Sequence, residues 1–471
     1  MRGGMDRSKE FLMLSVVFMA PFMDGLDIGI VSVAMPNIAS SLNVDIATVS
    51  WVSIVYLMVI SGTLVFFAKK ASNVGIRKIM TTGIVIFTAG SLFCGLSPNY
   101  LSLISAIVVQ SIGASMMAAT SPMICSRHLP IHRLGFGLSV LIAGSSFGYA
   151  IGPILGGSLL EFVDWHFIFF INVPIGILLA LIAARAIPGT DGTGEKEKVD
   201  AIGTVLLMTG VMCGIFAIEM LSQSDTMILP VTFGIVCLAL ICAFTVWERR
   251  TENPLLNVSM FRSARFSAGF LCLMLTNMFY LGIFYLIPFY GEIALDMSAF
   301  TVGVYLFISS MITCIFGMPV AKYSDRKGRK KFCVAAGLIN ASVPLLLGVF
   351  ADDMTIAVFL LAMIMMGFGW TFVGGPMASR MIESAGDNRN MASALTNEAY
   401  RVGGAIGTAT AATLFTIFSG SRGTDISSVS VDTFLTGFVP VMAILVAICI
   451  LIALISFILK ESPDQSDGVD A

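Results

Sequence analysis

Charged residues are scarce in this chain. Only 12% of its 471 residues are Asp, Glu, Lys or Arg, whereas soluble domains carry roughly 25%. Hydrophobic residues make up 57%, and the mean hydropathy is +0.92. A water-soluble fold of this size could not bury so much apolar surface, so this composition excludes a soluble enzyme or a soluble binding domain.

Three further features are missing. The nine Cys are scattered without a CxxC pair or metal-ligand spacing, and they read as small packing residues rather than as a metal or redox site. No GxxxxGK[ST] motif occurs, and no internal polar stretch is long enough for a soluble nucleotide-hydrolysing domain. We therefore expect no metal and no cofactor, and we expect any transport to draw on a gradient.

Long apolar runs are what the chain has in abundance. Fourteen runs of about 20 residues follow one another, the first near 11–36 and the last near 433–459. Each is long enough to cross a hydrocarbon core of about 30 Å. Strands of a membrane barrel would alternate with period two, and these runs do not. The sequence predicts an all-α membrane protein with fourteen transmembrane helices.

The few charges are distributed unevenly. If the N-terminus is cytoplasmic, nearly all of the 27 Lys and Arg fall on the cytoplasmic side, with Arg401 and Arg422 as exceptions. Acids populate the other side: Asp45, Glu161, Asp164, Asp225, Asp296, Asp352 and Asp353. This bias predicts a multi-pass protein of the cell membrane with both termini in the cytoplasm.

A short basic loop occurs twice. It reads GTLVFFAKKASNVGIRK at 62–78 and GMPVAKYSDRKGRKK at 317–331, each time after the second helix of a half. The repeat predicts two six-helix bundles with two extra helices between them. We divide the chain into an N-terminal bundle at 1–187, linkers and inserted helices 7 and 8 at 188–262, a C-terminal bundle at 263–460 and a disordered cytoplasmic tail at 461–471.

Small residues support the same division. The fifth run has Gly144, Gly148, Gly152 and Gly156 at intervals of four, and the thirteenth has Gly403, Gly407 and Ala411 at the same interval. This spacing places small residues on one helix face and lets two backbones approach closely in lipid. We interpret the row in the fifth run as a seam that packs the helix and also as the place where the halves rock.

Four segments resemble one family. They are LDIGIVSVAMPNIA at 26–39, GYAIGPILGG at 148–157, WHFIFFINVPIG at 165–176 and NPLLNVSMFR at 253–262. In this order, they are similar to the major facilitator superfamily and, within it, to the fourteen-helix drug:proton antiporters. The resemblance implies multidrug efflux by alternating access, with Gly148, Gly152, Pro153, Gly156 and Gly157 as the antiporter motif of helix 5.

The sequence departs from the family pattern at two positions. Ser72 stands where the first loop of the family carries Asp, and Ile107 stands where its fourth helix carries Arg. Gln110 of the same helix motif remains, and we expect it in the proton-coupling and substrate cavity. The second loop is complete. The resemblance implies a cytoplasmic latch in these loops, made by Gly75, Arg77, Asp325, Arg326, Gly328, Arg329 and Lys330, with the second copy dominant. The cations could bind carboxylates across the interface of the halves, or they could serve only as topology signals.

A few ionisable residues lie inside the apolar runs. Asp24 and Asp27 are three apart in the first run, and an acid there faces a cavity or a partner because a charge in hydrocarbon is costly. Asp27 either exchanges a proton or only bonds a neighbouring helix. Glu398 and Arg401 could pair with each other, fixing the packing or charging the cavity, and Asn397 could orient a substrate.

The sequence therefore predicts an exporter of amphipathic or cationic small molecules, driven by proton antiport, without enzymatic chemistry. Its site would lie among helices 1, 4, 5, 7, 9, 10, 12 and 13. The expected partners are the small-molecule substrate, protons and the lipid bilayer, with no nucleic acid, and the chain is expected to be a monomer. The alternatives are an exporter of a specific metabolite or lipid-like compound with different coupling, and a non-transporting membrane sensor.

Overall fold

A computed structural model describes residues 7–129, 131–189, 200–223, 227–251, 258–385, 389–422 and 429–458. Within these ranges the regular structure is helical. The long helices are α1 (Arg7–Leu42), α2 (Ile46–Val74), α3 (Ile76–Gly95), α4 (Tyr100–His128), α5 (Ile131–Phe162), α6 (Asn172–Ala186), α7 (Ala201–Gln223), α8 (Ile228–Glu248), α9 (Ala264–Phe289), α10 (Ala299–Lys327), α11 (Arg329–Val349), α12 (Ile356–Glu383), α13 (Arg389–Ser419) and α14 (Val431–Ile458).

Short helical pieces extend two of these. Phe167–Phe170 forms one turn before α6, and a π-helical turn at Tyr290–Ala294 continues α9. Thirteen of the described spans are long and apolar enough to cross a membrane, and the shorter apolar segment Ile202–Ile218 lies in α7. The number and order of the helices agree with the prediction from the apolar runs.

The two halves repeat the same helix contacts. In the first half α1 packs on α5, α4 packs on α2 and α3, and α3 packs on α6. In the second half the equivalent pairs are α9 with α13, α12 with α10 and α11, and α11 with α14. The predicted architecture of two six-helix bundles is confirmed. The domain boundaries stay a prediction, since much of both linkers and the tail at 461–471 lie outside the described residues.

The inserted pair docks through one helix. α7 packs against α2 and α13, one from each half, and α8 packs on α7. Thr413 of α13 donates a hydrogen bond to the carbonyl of Ile218 in α7 at 3.3 Å. Most of the span of α8 is exposed, and only 11% of it is buried. Because its exposed residues are apolar, α8 faces lipid.

The glycine row of α5 forms a seam inside the first half. Gly148, Gly152 and Gly156 lie directly against the backbone of α1, and a Cβ at Gly148 would meet the carbonyl of Phe22. These glycines let the two helices touch backbone to backbone. Since both helices belong to the same half, this row packs within one bundle; that the halves rock at α5 stays a prediction.

A different face of α5 meets the second half. Gly157 lies against the backbone of Ala299 at the start of α10, and Gly303 of α10 lies against the carbonyl of Pro153. The repeat-related contact is that of α2 with α13. These two helix pairs make most of the contacts between the halves, and α1 also contacts α9 and α10. One set of glycines therefore allows close packing within a half, and the other allows close packing between the halves.

Candidate functional site

A cavity of about 220 Å³ lies between the halves. We call it the main cavity. Its lining residues are Asp24, Leu57, Ser145, Ser146, Tyr149, Asn277, Tyr280, Leu281, Phe284, Ser310, Thr313, Trp370, Asn397, Tyr400 and Arg401. They come from α1, α2, α5, α9, α10, α12 and α13. The expectation that α7 would contribute was wrong, because α2 and α13 stand between α7 and this cavity. Among the described residues α4 does not line this cavity either, but its Ile107 lines the smaller cavity beside it.

An ion pair joins the two halves in the main cavity. Arg401 of α13 donates from Nη2 to Oδ2 of Asp24 in α1 at 3.2 Å. The hydroxyl of Tyr56 in α2 donates to the other oxygen of the same carboxylate at 2.7 Å. The side chains of Asp24 and Arg401 are only 12% and 16% exposed. Because each charge is largely removed from water, each depends on the other for compensation.

Glu398 does not pair with Arg401. It accepts a hydrogen bond from the hydroxyl of Ser61 in α2, while Arg401 reaches Asp24. The spacing of three residues allowed a pair within α13, but α13 packs against the first half, and both side chains find partners there. Asn397 is exposed to the main cavity.

A second, minor cavity of about 30 Å³ lies beside the main cavity. Its lining residues are Asp27, Ile28, Val31, Ser32, Val52, Ser53, Tyr56, Leu57, Ile107, Leu281, Phe284, Tyr285 and Thr408. Leu57, Leu281 and Phe284 line both cavities and therefore lie between them. The two acids of α1, one helical turn apart, thus face different spaces.

Asp27 is held by two amides. Its Oδ1 accepts from Nε2 of Gln110 at 3.0 Å and from Nδ2 of Asn172 at 2.8 Å. Gln110 also donates to Ser91 at 2.9 Å, and among the described residues no donor bonds Oδ2 of Asp27. Gln110 is fully buried and lines neither cavity, so it positions the carboxyl rather than contacting a cavity occupant. Asp27 therefore both bonds neighbouring helices and lines a cavity.

The loop before α6 fixes the position of Asn172. The backbone N–H of His166 donates to Asp164 at 3.1 Å, the His166 ring contacts the same carboxylate, and its Nε2 lies 3.1 Å from the carbonyl of Ser97. Burial raises the pKa of Asp164, but the hydrogen bonds from His166 outweigh burial and hold that pKa below its usual value. This tie between α3, α5 and α6 sets where Asn172 enters the bundle.

Four of these polar residues were missed by the sequence reasoning: Tyr56, Ser61, Ser91 and Asn172. Asn172 lies within the family-like segment at 165–176, which was the available signal. The other three occur in apolar runs as single Tyr or Ser residues. Such residues are common in membrane helices, so nothing local distinguishes them.

The contacts at one end of the molecule close the halves on each other. Tyr285 of α9 donates from its hydroxyl to the carbonyl of Ile46, the first residue of α2. Gly157 meets the start of α10 at the same end. This is the end that carries Asp45, Asp164 and Asp352, opposite the Gly75 and Gly328 turns.

Comparison with known proteins identifies the fold. A family model described as Major Facilitator Superfamily matches residues 17–408. The chain belongs to the Major Facilitator Superfamily. It is a multi-pass membrane transporter of small molecules and not an enzyme.

Related transporters of the superfamily cover most of the chain. The riboflavin transporter RibZ of Clostridioides difficile is 27% identical over 328 residues, which are 70% of this chain and 71% of RibZ. A multidrug resistance protein B homolog of Mycobacterium tuberculosis is 29% identical over 417 residues, 85% of this chain and 75% of that protein. The multidrug export protein EmrB of Escherichia coli is 29% identical over 292 residues, 60% of this chain and 56% of EmrB.

Solved structures of transporters share the fold at low sequence identity. A bacterial homolog of the human lysosomal transporter Spinster, captured inward-facing and unoccupied, gives a TM-score of 0.70 at 13% identity, over 96% of this chain and 97% of that chain. A POT family transporter in complex with a thioalcohol-conjugated peptide gives 0.69 at 15% identity, over 94% and 95%. At this identity the likeness shows the fold alone.

The two basic loops of this superfamily member have the same backbone geometry. A single glycine joins α2 to α3 and α10 to α11, with φ of 109° at Gly75 and 92° at Gly328. An L side chain at either position would be strained. The side chains of Asp325 and Arg326 lie outside the described residues.

The described cations of these loops contact their own half. Arg329 pairs with Glu383 at the end of α12 at 2.5 Å, and Lys330 lies 4.8 Å over the ring of Phe457 in α14. Arg77 lies against Gly189, just beyond α6. These contacts of Arg329 and Lys330 lie within their own half, because each loop begins a helix that packs inside its own bundle. A latch across the interface of the halves stays a prediction.

Proposed function

We propose that this transporter exports amphipathic or cationic small molecules by proton antiport. The observation that carries the proposal is the placement of Asp27. The residue is 4% exposed, and its carboxyl is bonded by two amides on one oxygen and lies beside a cavity at the interface of the halves. A buried carboxyl with a cavity beside it can gain and lose a proton as access to that cavity changes.

The free energy of burying Asp27 differs between its ionised and its protonated form. When ionised, its Oδ1 accepts both amide bonds, and these compensate part of the lost hydration. When protonated, the carboxyl needs less compensation, so the halves can enclose it more easily. We infer that proton binding favours one arrangement of the halves and proton release favours the other.

The Asp24–Arg401 pair would couple the second bundle to this change. It crosses the interface of the halves, and Tyr56 connects it to the minor cavity by donating to Asp24 while lining the space next to Asp27. A substrate in the main cavity and a proton on Asp27 would thus act on adjacent turns of one helix. The pairs α5 with α10 and α2 with α13 join the halves and would be the surfaces that rearrange during alternating access.

The broad substrate class is supported by the relatives, among them multidrug resistance and multidrug export proteins. A second candidate is export of one specific metabolite. The riboflavin transporter RibZ, at 27% identity, favours it, as does Ile107 at the position where the family carries Arg. We further propose that both termini lie in the cytoplasm, because the distribution of Lys and Arg agrees with the positive-inside rule. We also propose that the protein is a monomer in the cell membrane and has no nucleic-acid partner.

Reconstituted vesicles test proton coupling. The purified chain should accumulate substrates from a panel of cationic and neutral compounds when a pH gradient is imposed, and should only equilibrate them without one. Asp27→Asn should lose at least about 90% of gradient-driven accumulation because its side chain no longer exchanges a proton. It should keep substrate-for-substrate exchange.

The control replaces an acid outside the spans. Asp353→Asn removes the same charge from an exposed position between α11 and α12 and should leave accumulation within about twofold of wild type. Full gradient-driven accumulation by Asp27→Asn would refute Asp27 as the coupling acid. Accumulation by wild type that ignores the gradient would refute proton antiport.

A further inference from the structure

The main cavity has a mostly apolar surface with many polar groups set into it, and it carries no net charge. Eleven of its fifteen lining residues have a hydroxyl, amide, carboxylate or guanidinium group. Asp24 and Arg401 are the only formal charges among them, and they are paired at 3.2 Å. The neighbouring acids do not change this balance, because Asp27 faces the minor cavity and Glu398, bonded to Ser61, is absent from the lining.

A cationic occupant would disturb this pair. Placed beside Asp24, it would face Arg401 at close range, and displacing the guanidinium would leave a buried Arg401 without its partner. An anion beside Arg401 would do the same to Asp24. Tyr56 of α2 also donates to Asp24, so side chains from three helices hold the pair in place. The cavity therefore selects against a single net charge of either sign.

One wall of the main cavity is aromatic. Trp370 of α12 lies between Tyr280 of α9 and Tyr400 of α13, with ring centroids 4.8 Å and 5.6 Å away. Phe284 stacks on Tyr280 at 6.0 Å and 15°. Aromatic side chains on three helices offer flat surfaces to a flat ring.

Hydrogen-bonding groups line other parts of the cavity. Ser145 and Ser146 lie on α5, and Asn397 is exposed to the cavity on α13. With other described residues these three side chains make no hydrogen bond. A hydroxyl or amide of an occupant would satisfy them, whereas an apolar occupant would leave them without partners and cost affinity.

We propose that the preferred substrates are flat, uncharged aromatic compounds that carry several hydroxyl or amide groups. The ring would pack on Trp370, and the polar groups would bond Asn397 and the serines of α5. This narrows the proposed function and rests on it, since it takes the main cavity as the substrate site. It places singly charged lipophilic cations among the weaker ligands.

Equilibrium dialysis with the purified full chain at pH 7 tests the class. Four compounds separate the effects of net charge and of hydroxyl groups on a flat ring system. Riboflavin is uncharged and carries hydroxyls, and lumichrome has a flat ring system without the hydroxylated chain. Riboflavin 5′-phosphate adds negative charge, and ethidium is a flat cation. Riboflavin should bind at least tenfold more tightly than the phosphate or ethidium, and about fivefold more tightly than lumichrome. Equal or tighter binding of ethidium or the phosphate, or no measurable binding of riboflavin, would overturn the proposal.

Two variants separate the contribution of the aromatic wall to ligand binding from that of the hydrogen bonds. Trp370→Ala should weaken both riboflavin and lumichrome about tenfold or more, whereas Asn397→Ala should weaken riboflavin about fivefold and lumichrome less than twofold. Phe162→Ala, at a residue 82% exposed outside the cavity, is the matched aromatic control and should change neither. Equal losses for both ligands in Asn397→Ala would overturn the role given to its amide.

Vesicle transport distinguishes this proposal from the one it rests on. Gradient-driven movement of ethidium but not riboflavin would keep proton antiport and overturn the substrate class. Tight riboflavin binding that Trp370→Ala abolishes, without any gradient-driven movement, would support the substrate class and overturn proton antiport.

Discussion

The seam between α1 and α5 and the seam between α9 and α13 are built alike and carry different chemistry. Gly148 of α5 lies against the carbonyl of Phe22, and Gly407 of α13 lies against the carbonyl of Met278 in the same way. In both seams glycine removes the side chain where two backbones meet. The shared backbone geometry is what the internal repeat preserves.

The side chains around these seams have diverged. Asp24 and Asp27 follow the Phe22 contact by two and five residues, and the equivalent positions after Met278 hold Tyr280 and Ile283. The first half thus supplies both acids. The second half supplies Arg401 and the aromatic wall. The comparison teaches that duplication provided the scaffold, while the ionisable groups of the site are divided unequally between the halves.

Breaking either seam should have the largest effect. Gly148→Leu and Gly407→Leu each force a side chain into the backbone of the facing helix, so we expect a loss of about 3 kcal/mol or more of stability, with little folded protein recovered. Monodisperse yield and thermal unfolding in detergent measure this. Gly234→Leu on α8, where a Cβ meets nothing within 4 Å, is the control and should stay within about 0.5 kcal/mol. A normal yield of Gly407→Leu alone would show that only the first seam is tight.

Separating the ion pair should have the next largest effect. Arg401→Gln leaves Asp24 as a buried charge without compensation, and Asp24→Asn leaves Arg401 in the same state, so each should cost about 3 kcal/mol. The double variant removes both charges and should recover most of that loss. Thermal unfolding of the four proteins gives the coupling energy. Additive losses would mean that the pair does not join the halves in solution.

The sequence predicted the scaffold better than the site. Fourteen helices and the repeat could be predicted because apolar length and small-residue spacing are local properties of the chain. The turns at Gly75 and Gly328 could be predicted for the same reason. The presence of Asp24, Asp27, Glu398 and Arg401 in membrane helices also marked them as site candidates.

The partners of these residues could not be predicted. The spacing of Glu398 and Arg401 suggested a pair with each other, yet Arg401 bonds an acid 377 positions away. Gln110 was expected in the cavity, yet it supports Asp27 from a fully buried position. Which side chains meet across two bundles depends on how the helices are rotated in the fold, and one sequence contains no signal for that rotation.

The smallest expected effect concerns the two basic loops, whose glycine turns match but whose acids differ. The second loop has Asp325 where the first has Ser72, and only a carboxylate can accept charge-assisted hydrogen bonds at that position. Asp325→Ala should therefore slow transport roughly fivefold, equivalent to about 1 kcal/mol, because it weakens the second latch alone. Ser72→Ala, the matched control in the first loop, should stay within about twofold. Initial rates in vesicles at equal protein content measure both, and a larger loss in Ser72→Ala would discard the dominance of the second loop.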